Sequence, residues 1–377
     1  MPHHALYLDT TEATSRFLRS IANVDLIALD TEGASFHRFV DRIYLLQLST
    51  RDRSAIIDPL PIGAPEELGG LLEDPKVEVV FHDADYDLRL LHQDYGWHVR
   101  NIFDTRVAAQ LLGIRAFGLA ALLEKYFGLK LDKKHQRADW SMRPLPQDML
   151  DYATQDTMFL LPLRDKLADE LERAGRWEWA REEFERLEGT RWDHDTAVDA
   201  YQRIKGARDL TRRELAILRE LVVWRDGVAR EMDHATFRVA GNQTLIELAR
   251  VAPRSVDALR EIRGMPRGVI ERRGTNVLDA IARGLAVPED QLPRFPRAPR
   301  WDRDPDFDIR VNRLRGIRET VAQRLGLDPG FLISRERLET IARKRPTSVD
   351  ELAQADDLRR WQVDVMGKEL LAALAAG

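Results

Sequence analysis

The sequence predicts an α/β domain at the N-terminus followed by two all-α domains of one shared fold. Three observations predict it. Short apolar runs bounded by polar clusters alternate with helix-like segments up to residue 207. Helical periodicity dominates from Gln147 to the C-terminus. Residues 218–284, shifted forward by 93 positions, align without a gap onto 311–377. Under that shift Arg225 falls on Arg318, Leu245 on Leu338, Pro253 on Pro346, Gly274 on Gly367, and Ser255-Val256-Asp257 on Ser348-Val349-Asp350. Apolar matching alone would not align proline, glycine and a whole SVD triplet. The serine of each triplet reads as a helix N-cap following a loop proline.

The chain has 377 residues, too many for one ordinary core. The boundaries read as 1–207 for the α/β domain, 208–286 and 304–377 for the helical domains, and 287–303 for a Pro/Arg-rich linker. Their charges differ. Residues 1–207 carry 26 basic and 36 acidic side chains, a net of −10; residues 208–286 carry 15 and 11, a net of +4. The linker has 4 against 3, and 304–377 balance at 13 each. An acidic, cation-binding site beside a basic module suits a nucleic-acid enzyme. The absence of cysteine excludes disulfides, cysteine-ligated zinc and thiol catalysis, and fits a reducing cytoplasm. No apolar run reaches membrane-helix length, and MPHHALYLDTTEATS lacks the features of a secretory signal.

In chain order, DLIALD (25–30), IYLLQLS (43–49), SAIID (54–58) and VEVVF (77–81) read as buried strands. A helix follows through Leu88, Leu91 and His92. VAAQLLG and GLAALLEKYFG read as helices stopped by glycine. KLDKKHQRADWSMRPL (130–145) reads as a basic loop.

Three acidic clusters stand out. In LDTEG, Asp30 and Glu32 are two apart on a strand and so share a face. They either enter a turn as solvated acids or hold a hard cation such as Mg²⁺ or Mn²⁺ between them. HDADYD (82–87) places Asp83, Asp85 and Asp87 at a strand-to-helix junction, where capping competes with ligation. In DYATQD (151–156), Tyr152 and Asp156 share a helical face, and Asp151 lies about 100° away from Tyr152. No GxxxxGK[ST] loop is present, which argues against a helicase and a nucleotide cofactor.

In this order, DxE, a later Asp after a strand, and YxxxD on a helix resemble the DEDDy 3′–5′ exonucleases. FHDADYDLRLLHQDYG…NIFDTRVAAQLLG, GLAALLEKYFGLKLDKKHQRADWSMRPLPQDMLDYATQD and the two repeats narrow the resemblance to ribonuclease D with two HRDC domains. The resemblance implies an RNase H-like exonuclease domain with a mixed sheet. It implies two divalent ions held by Asp30, Glu32, Asp87 and Asp156, with Tyr152 orienting the attacking water. It further implies stepwise release of nucleoside 5′-monophosphates from RNA, tRNA precursors among the substrates. A DNA exonuclease, or a non-catalytic RNA-binding protein on the same fold, are the competing readings. Asp104, in FDT, is expected to hold a helix start. Gly33 departs from the larger residue common after DTE, and 33–42 departs from the family pattern. Phe36, His37 and Phe39 are candidates there either for stacking on the 3′-terminal nucleotide or for burial. Lys130, Lys133, Lys134, Arg137 and Arg143 form either a strand-holding cluster or a solvated basic loop.

Overall fold

The computed structural model describes residues 5–131, 134–192, 197–295, 304–355 and 358–375. It divides into two compact units. One comprises residues 1–33, 43–192 and 301–377; the other comprises 34–42 and 193–300.

The first unit is built on a six-stranded mixed sheet of order β1-β4-β3-β2-β5-β6. The strands are β1 (Leu6–Leu8), β2 (Leu26–Glu32), β3 (Leu45–Ser49), β4 (Ser54–Ile57), β5 (Glu78–Phe81) and β6 (Ile102–Asp104). Strand β3 runs antiparallel to both β2 and β4, and the other pairings are parallel. The four expected strands are present. β1 and β6 were not anticipated, because three residues are too few to show a periodicity.

Both faces of the sheet are covered, which is why its strands read as continuous apolar runs. Ile27, Leu29, Val79 and Phe81 pack with residues of the helices Thr11–Ser20, Glu66–Leu72 and Asp85–Tyr95. The alternate residues Ala28, Val80 and Phe103 face another cluster that includes Leu160, Leu163 and Phe184. The helix Gln147–Met158 lies on this second side, where Thr157 Oγ1 and Ser49 Oγ are 2.8 Å apart.

The second helical repeat belongs to this same core. Leu314, Val321, Leu332, Trp361 and Leu370 join the cluster containing Phe103 and Phe184. Trp361 stacks on Trp179 with centroids 5.0 Å apart, and its Nε1–H donates to Glu183 at 2.9 Å. Arg359 Nε also donates to Glu183 at 2.9 Å, and Arg176 Nη2 donates to the Leu325 carbonyl at 2.5 Å.

The second unit contains the first helical repeat. Its helices Arg212–Met232, Thr236–Val239, Asn242–Val251, Val256–Arg260 and Arg267–Ala286 enclose an apolar core of their own. The last four begin 93 residues before Pro329–Leu332, Arg335–Lys344, Val349–Ala355 and Arg360–Ala375 of the other repeat. Ser255 and Ser348 act as the expected N-caps, accepting from Ala258 N and Glu351 N at 3.2 Å. Residues 34–42 pack here too. Phe39 joins this core, Arg38 pairs with Asp233 at 3.2 Å, and Ala235 N donates to the His37 carbonyl at 3.2 Å. Part of the expected linker, 296–303, lies outside the described residues. Among the described residues no helix is long and apolar enough to cross a membrane.

Candidate active site

Register explains the position of the first two carboxylates. β2 pairs with β5 only through Ala28, whereas it stays paired with β3 out to Glu32. The last three residues of β2 therefore project past the end of β5 and leave an unpaired edge. Asp30 and Glu32 lie on one side of this projecting strand. The helix Gln147–Met158 brings Asp156 to them, and one oxygen from each of Asp30, Glu32 and Asp156 lies within 4.8 Å of the others.

The free edge also fixes Asp87. A backbone N–H with no sheet partner needs another acceptor. Thr31 N donates to Asp87 Oδ1 at 2.9 Å, and Thr31 Oγ1 donates to the same oxygen at 2.6 Å. Asp87 is 5% exposed. It thus sits beside the three-carboxylate cluster, with one oxygen already committed to Thr31.

The electrostatics of the group are those of a cation site. Burial, then repulsion from Asp156, pushes the Asp30 carboxyl well above the usual range. Burial, then Asp30, Asp156 and Asp87, does the same to Glu32. Burial, then Asp30, lifts Asp87 against the two Thr31 bonds. Burial and Asp87 raise Asp156 to about 7. Four carboxylates that cannot all ionise comfortably fit one or more divalent cations, and their all-oxygen donor set suits a hard metal ion.

The cluster lies in an open cleft of about 590 Å³. Asp30, Thr31, Glu32, Tyr152 and Asp156 form part of its lining, and His82, Tyr86, Arg106, Phe117 and Gln136 contribute further. Tyr152 is packed by Trp140, at 6.2 Å between centroids, and edge-on by His135, at 5.8 Å. His82 Nδ1 lies 2.9 Å from Thr105 Oγ1. Burial, then Arg106, lowers the His82 pKa to about 4, so its ring is neutral at pH 7.

The acids set aside in the sequence have other partners. Asp151 is exposed and accepts from Gln147 Nε2 at 2.9 Å. Asp85 pairs with Arg89 one helical turn on, and Asp83 pairs with Arg106. Asp104 caps the helix Thr105–Leu111 as expected, accepting from Arg106 N at 2.7 Å and Val107 N at 3.1 Å. It also accepts from Asp83 N and Ala84 N, stapling the entry to the Asp87 helix. Burial lifts its carboxyl, and the four N–H groups oppose that rise.

Several of the expected nucleic-acid contacts have protein partners among the described residues. Phe36 packs edge-on against Phe237 at 6.3 Å, and Arg238 Nη2 is 3.0 Å from His37 Nδ1. Lys134 pairs with Asp148 at 2.8 Å. Arg137 is exposed, and Lys133 lies outside the described residues. Arg143 requires a correction. Its Nε and Nη2 donate to Asp58 at 2.5 and 2.8 Å, Nη2 also to the Tyr44 carbonyl at 2.8 Å, and Nη1 to the Trp140 and Met142 carbonyls. All five guanidinium donors are used inside the protein, so none is left for a phosphate. Sequence reasoning missed Arg106 and Phe117. Arg106 could have been found from its place just after the FDT cap; Phe117 carries no local signal.

The chain is similar to known proteins along most of its length. Residues 6–172 match the family model for a 3′-5′ exonuclease, and 214–281 and 309–374 match the HRDC domain. The chain is 30% identical to ribonuclease D of Gluconacetobacter diazotrophicus over 97% of this chain and 91% of the relative. It is 31% identical to ribonuclease D of Escherichia coli over 76% of each chain. The crystal structure of E. coli RNase D, described as an exoribonuclease involved in structured RNA processing, superposes with a TM-score of 0.75 at 27% identity, covering 99% of both chains. A protein from Bifidobacterium adolescentis superposes with a TM-score of 0.84 at 28% identity, covering 99% of this chain and 97% of the other.

Proposed function

The chain belongs to the ribonuclease D family, whose homology supports 3′–5′ exoribonuclease activity, and from that premise we propose a two-metal hydrolase that trims RNA from its 3′ end. The observation that carries the reading is the convergence of the Asp30, Glu32 and Asp156 carboxylates in a cleft shared with Tyr152. Asp30, Glu32, Asp87 and Asp156 would hold two Mg²⁺ or Mn²⁺ ions. Bound there, such ions supply an activated water and charge stabilisation at the leaving 3′ oxygen.

The chain's own residues do the rest. Glu32 and Asp30 are fixed by strand pairing, so the strand holds them in place without a large ordering cost at binding. Thr31 orients Asp87 and leaves its second oxygen available. Tyr152, as a phenol, is suited to hydrogen-bonding the attacking water rather than to removing its proton. Trp140 and His135 hold its ring in place. The products would be nucleoside 5′-monophosphates, and tRNA precursors are the proposed natural substrates.

The test uses the purified full chain with a 5′-labelled tRNA precursor and a matched DNA oligomer, each with Mg²⁺ or EDTA. We expect a ladder shortening one nucleotide at a time from the RNA 3′ end, abolished by EDTA. Faster cleavage of the DNA would favour a DNA exonuclease. Tight RNA binding without cleavage in any metal would favour a non-catalytic binding protein.

A further inference from the structure

We propose that Arg106 is a phosphate-binding residue of the cleft, receiving a phosphodiester of the entering strand, with Asp83 as the internal anion that the phosphate displaces. The proposal rests on the exonuclease reading of the same cleft and adds a strand contact to it.

The cleft is acidic, lined by Asp30, Glu32, Asp83 and Asp156. A nucleic-acid strand is itself an anion. Divalent ions at the carboxylate cluster would serve the scissile phosphate, but the next phosphate needs a cation of its own. Among the described lining residues, Arg106 is the one Lys or Arg side chain, and the other basic group, His82, is neutral at pH 7. Arg106 is therefore where a second phosphate can be held.

Its surroundings suit that task. The Arg106 side chain is 36% exposed and its partner Asp83 is 55% exposed, so both are open to an incoming ligand. Among the described residues, the Arg106 guanidinium donates through Nη1 to Asp83, leaving Nε and Nη2 without a protein acceptor. Its carbon lies 5.0 Å from the centroid of the Phe117 ring, which also lines the cleft. That stack holds the planar fork and leaves its edge open for bidentate contact with phosphate oxygens. Arg143 is the opposite case: it has the same chemistry, but every donor is consumed internally. An exposed ion pair such as Arg106–Asp83 contributes little stability, so exchange of carboxylate for phosphate is inexpensive.

The test compares wild type, Arg106→Ala, Arg106→Lys, Asp83→Asn and the double variant Arg106→Ala/Asp83→Asn. Single-stranded RNA binding is measured by anisotropy in EDTA, and hydrolysis by steady-state kinetics in Mg²⁺. Arg106→Ala should weaken binding and raise KM about tenfold, the loss expected for a charge-assisted contact, with kcat within about twofold. The slope of log affinity against log salt should flatten by ~0.7, the single-strand value for one phosphate. Arg106→Lys should keep that slope while losing part of the affinity. Asp83→Asn should tighten binding, and that gain should vanish in the double variant. Unchanged affinity and slope in a folded Arg106→Ala protein would overturn the proposal, as would a fall in kcat at constant KM. Arg106-dependent binding by a wild type that cleaves nothing would retain the inference and reject the exonuclease reading. Cleavage with an Arg106-independent slope would do the reverse.

Discussion

Asp156 and Asp151 lie five residues apart on one helix and differ in almost every physical respect. Asp156 faces three other carboxylates, while Asp151 faces solvent and Gln147. The raised Asp156 pKa of about 7, against an ordinary 3.8, has a consequence for the metal-free protein. Between those values the folded state holds a proton that the unfolded chain has lost. Stability from this group is therefore full below pH ~4 and is lost as pH rises through 7. Asp156→Asn should remove that penalty. In EDTA, its melting temperature should exceed that of wild type by a few degrees at pH 8 and by less at pH 4, at roughly 2–4 °C per kcal/mol. The same variant should lose at least ~100-fold in metal-dependent hydrolysis, since even an outer-sphere partner of a metal ligand contributes about 10–100-fold. Asp151→Asn should remain within about twofold of wild type. Thermal melts at both pH values, alongside turnover assays, check the pair of expectations; equal losses in the two variants would mean the wrong aspartate was chosen.

At the scale of elements, Arg143 ties down the segment that leads into the helix Gln147–Met158. Asp58, at 1% exposure, also accepts from Tyr7 Oη at 2.5 Å and caps the turn at Leu60. Burial pushes the Asp58 carboxyl up, but its bonds from Arg143, Tyr7 and Leu60 N outweigh this and hold it below the usual range. The Tyr44 carbonyl that accepts from Arg143 belongs to the residue whose N–H pairs with the Glu32 carbonyl at 2.9 Å. Trp140, whose carbonyl also accepts from Arg143, packs on Tyr152. One guanidinium thus ties the strand carrying Glu32 to the wall behind Tyr152. Removing one partner of a buried ion pair leaves the other charge uncompensated. Arg143→Ala should therefore lower unfolding free energy by roughly 3 kcal/mol, read by urea denaturation, without changing the salt slope of RNA binding. A flatter slope at unchanged stability would return Arg143 to the strand.

At the scale of the molecule, the two helical repeats share a fold but belong to different compact units. The second shares a core with the sheet; the first has its own core and carries residues 34–42. Trp361 is 2% exposed and stacks on Trp179. Trp361→Ala should lower unfolding free energy by about 3–5 kcal/mol. Calorimetry should show that loss in the transition that includes the exonuclease domain; a loss confined to a separate, small transition would mean the second repeat folds independently.

Sequence pattern alone revealed the strand that carries Asp30 and Glu32, the face shared by Tyr152 and Asp156, and the duplication of the helical domain. These are local or periodic properties: a period of two, a period of 3.6, and a fixed offset of 93. The short strands Leu6–Leu8 and Ile102–Asp104 were not legible, because pairing rather than pattern makes them strands. Which guanidinium donors stay open, by contrast, depends on tertiary packing. Arg143 and Arg106 look alike as letters, and a basic loop near the site drew attention to the first. The buried Asp58 and three carbonyls, from distant and neighbouring segments, consume Arg143, while Arg106 keeps open donors in the cleft. Whether a guanidinium is available depends on the acceptors the fold brings to it, and those acceptors are not encoded at its own position.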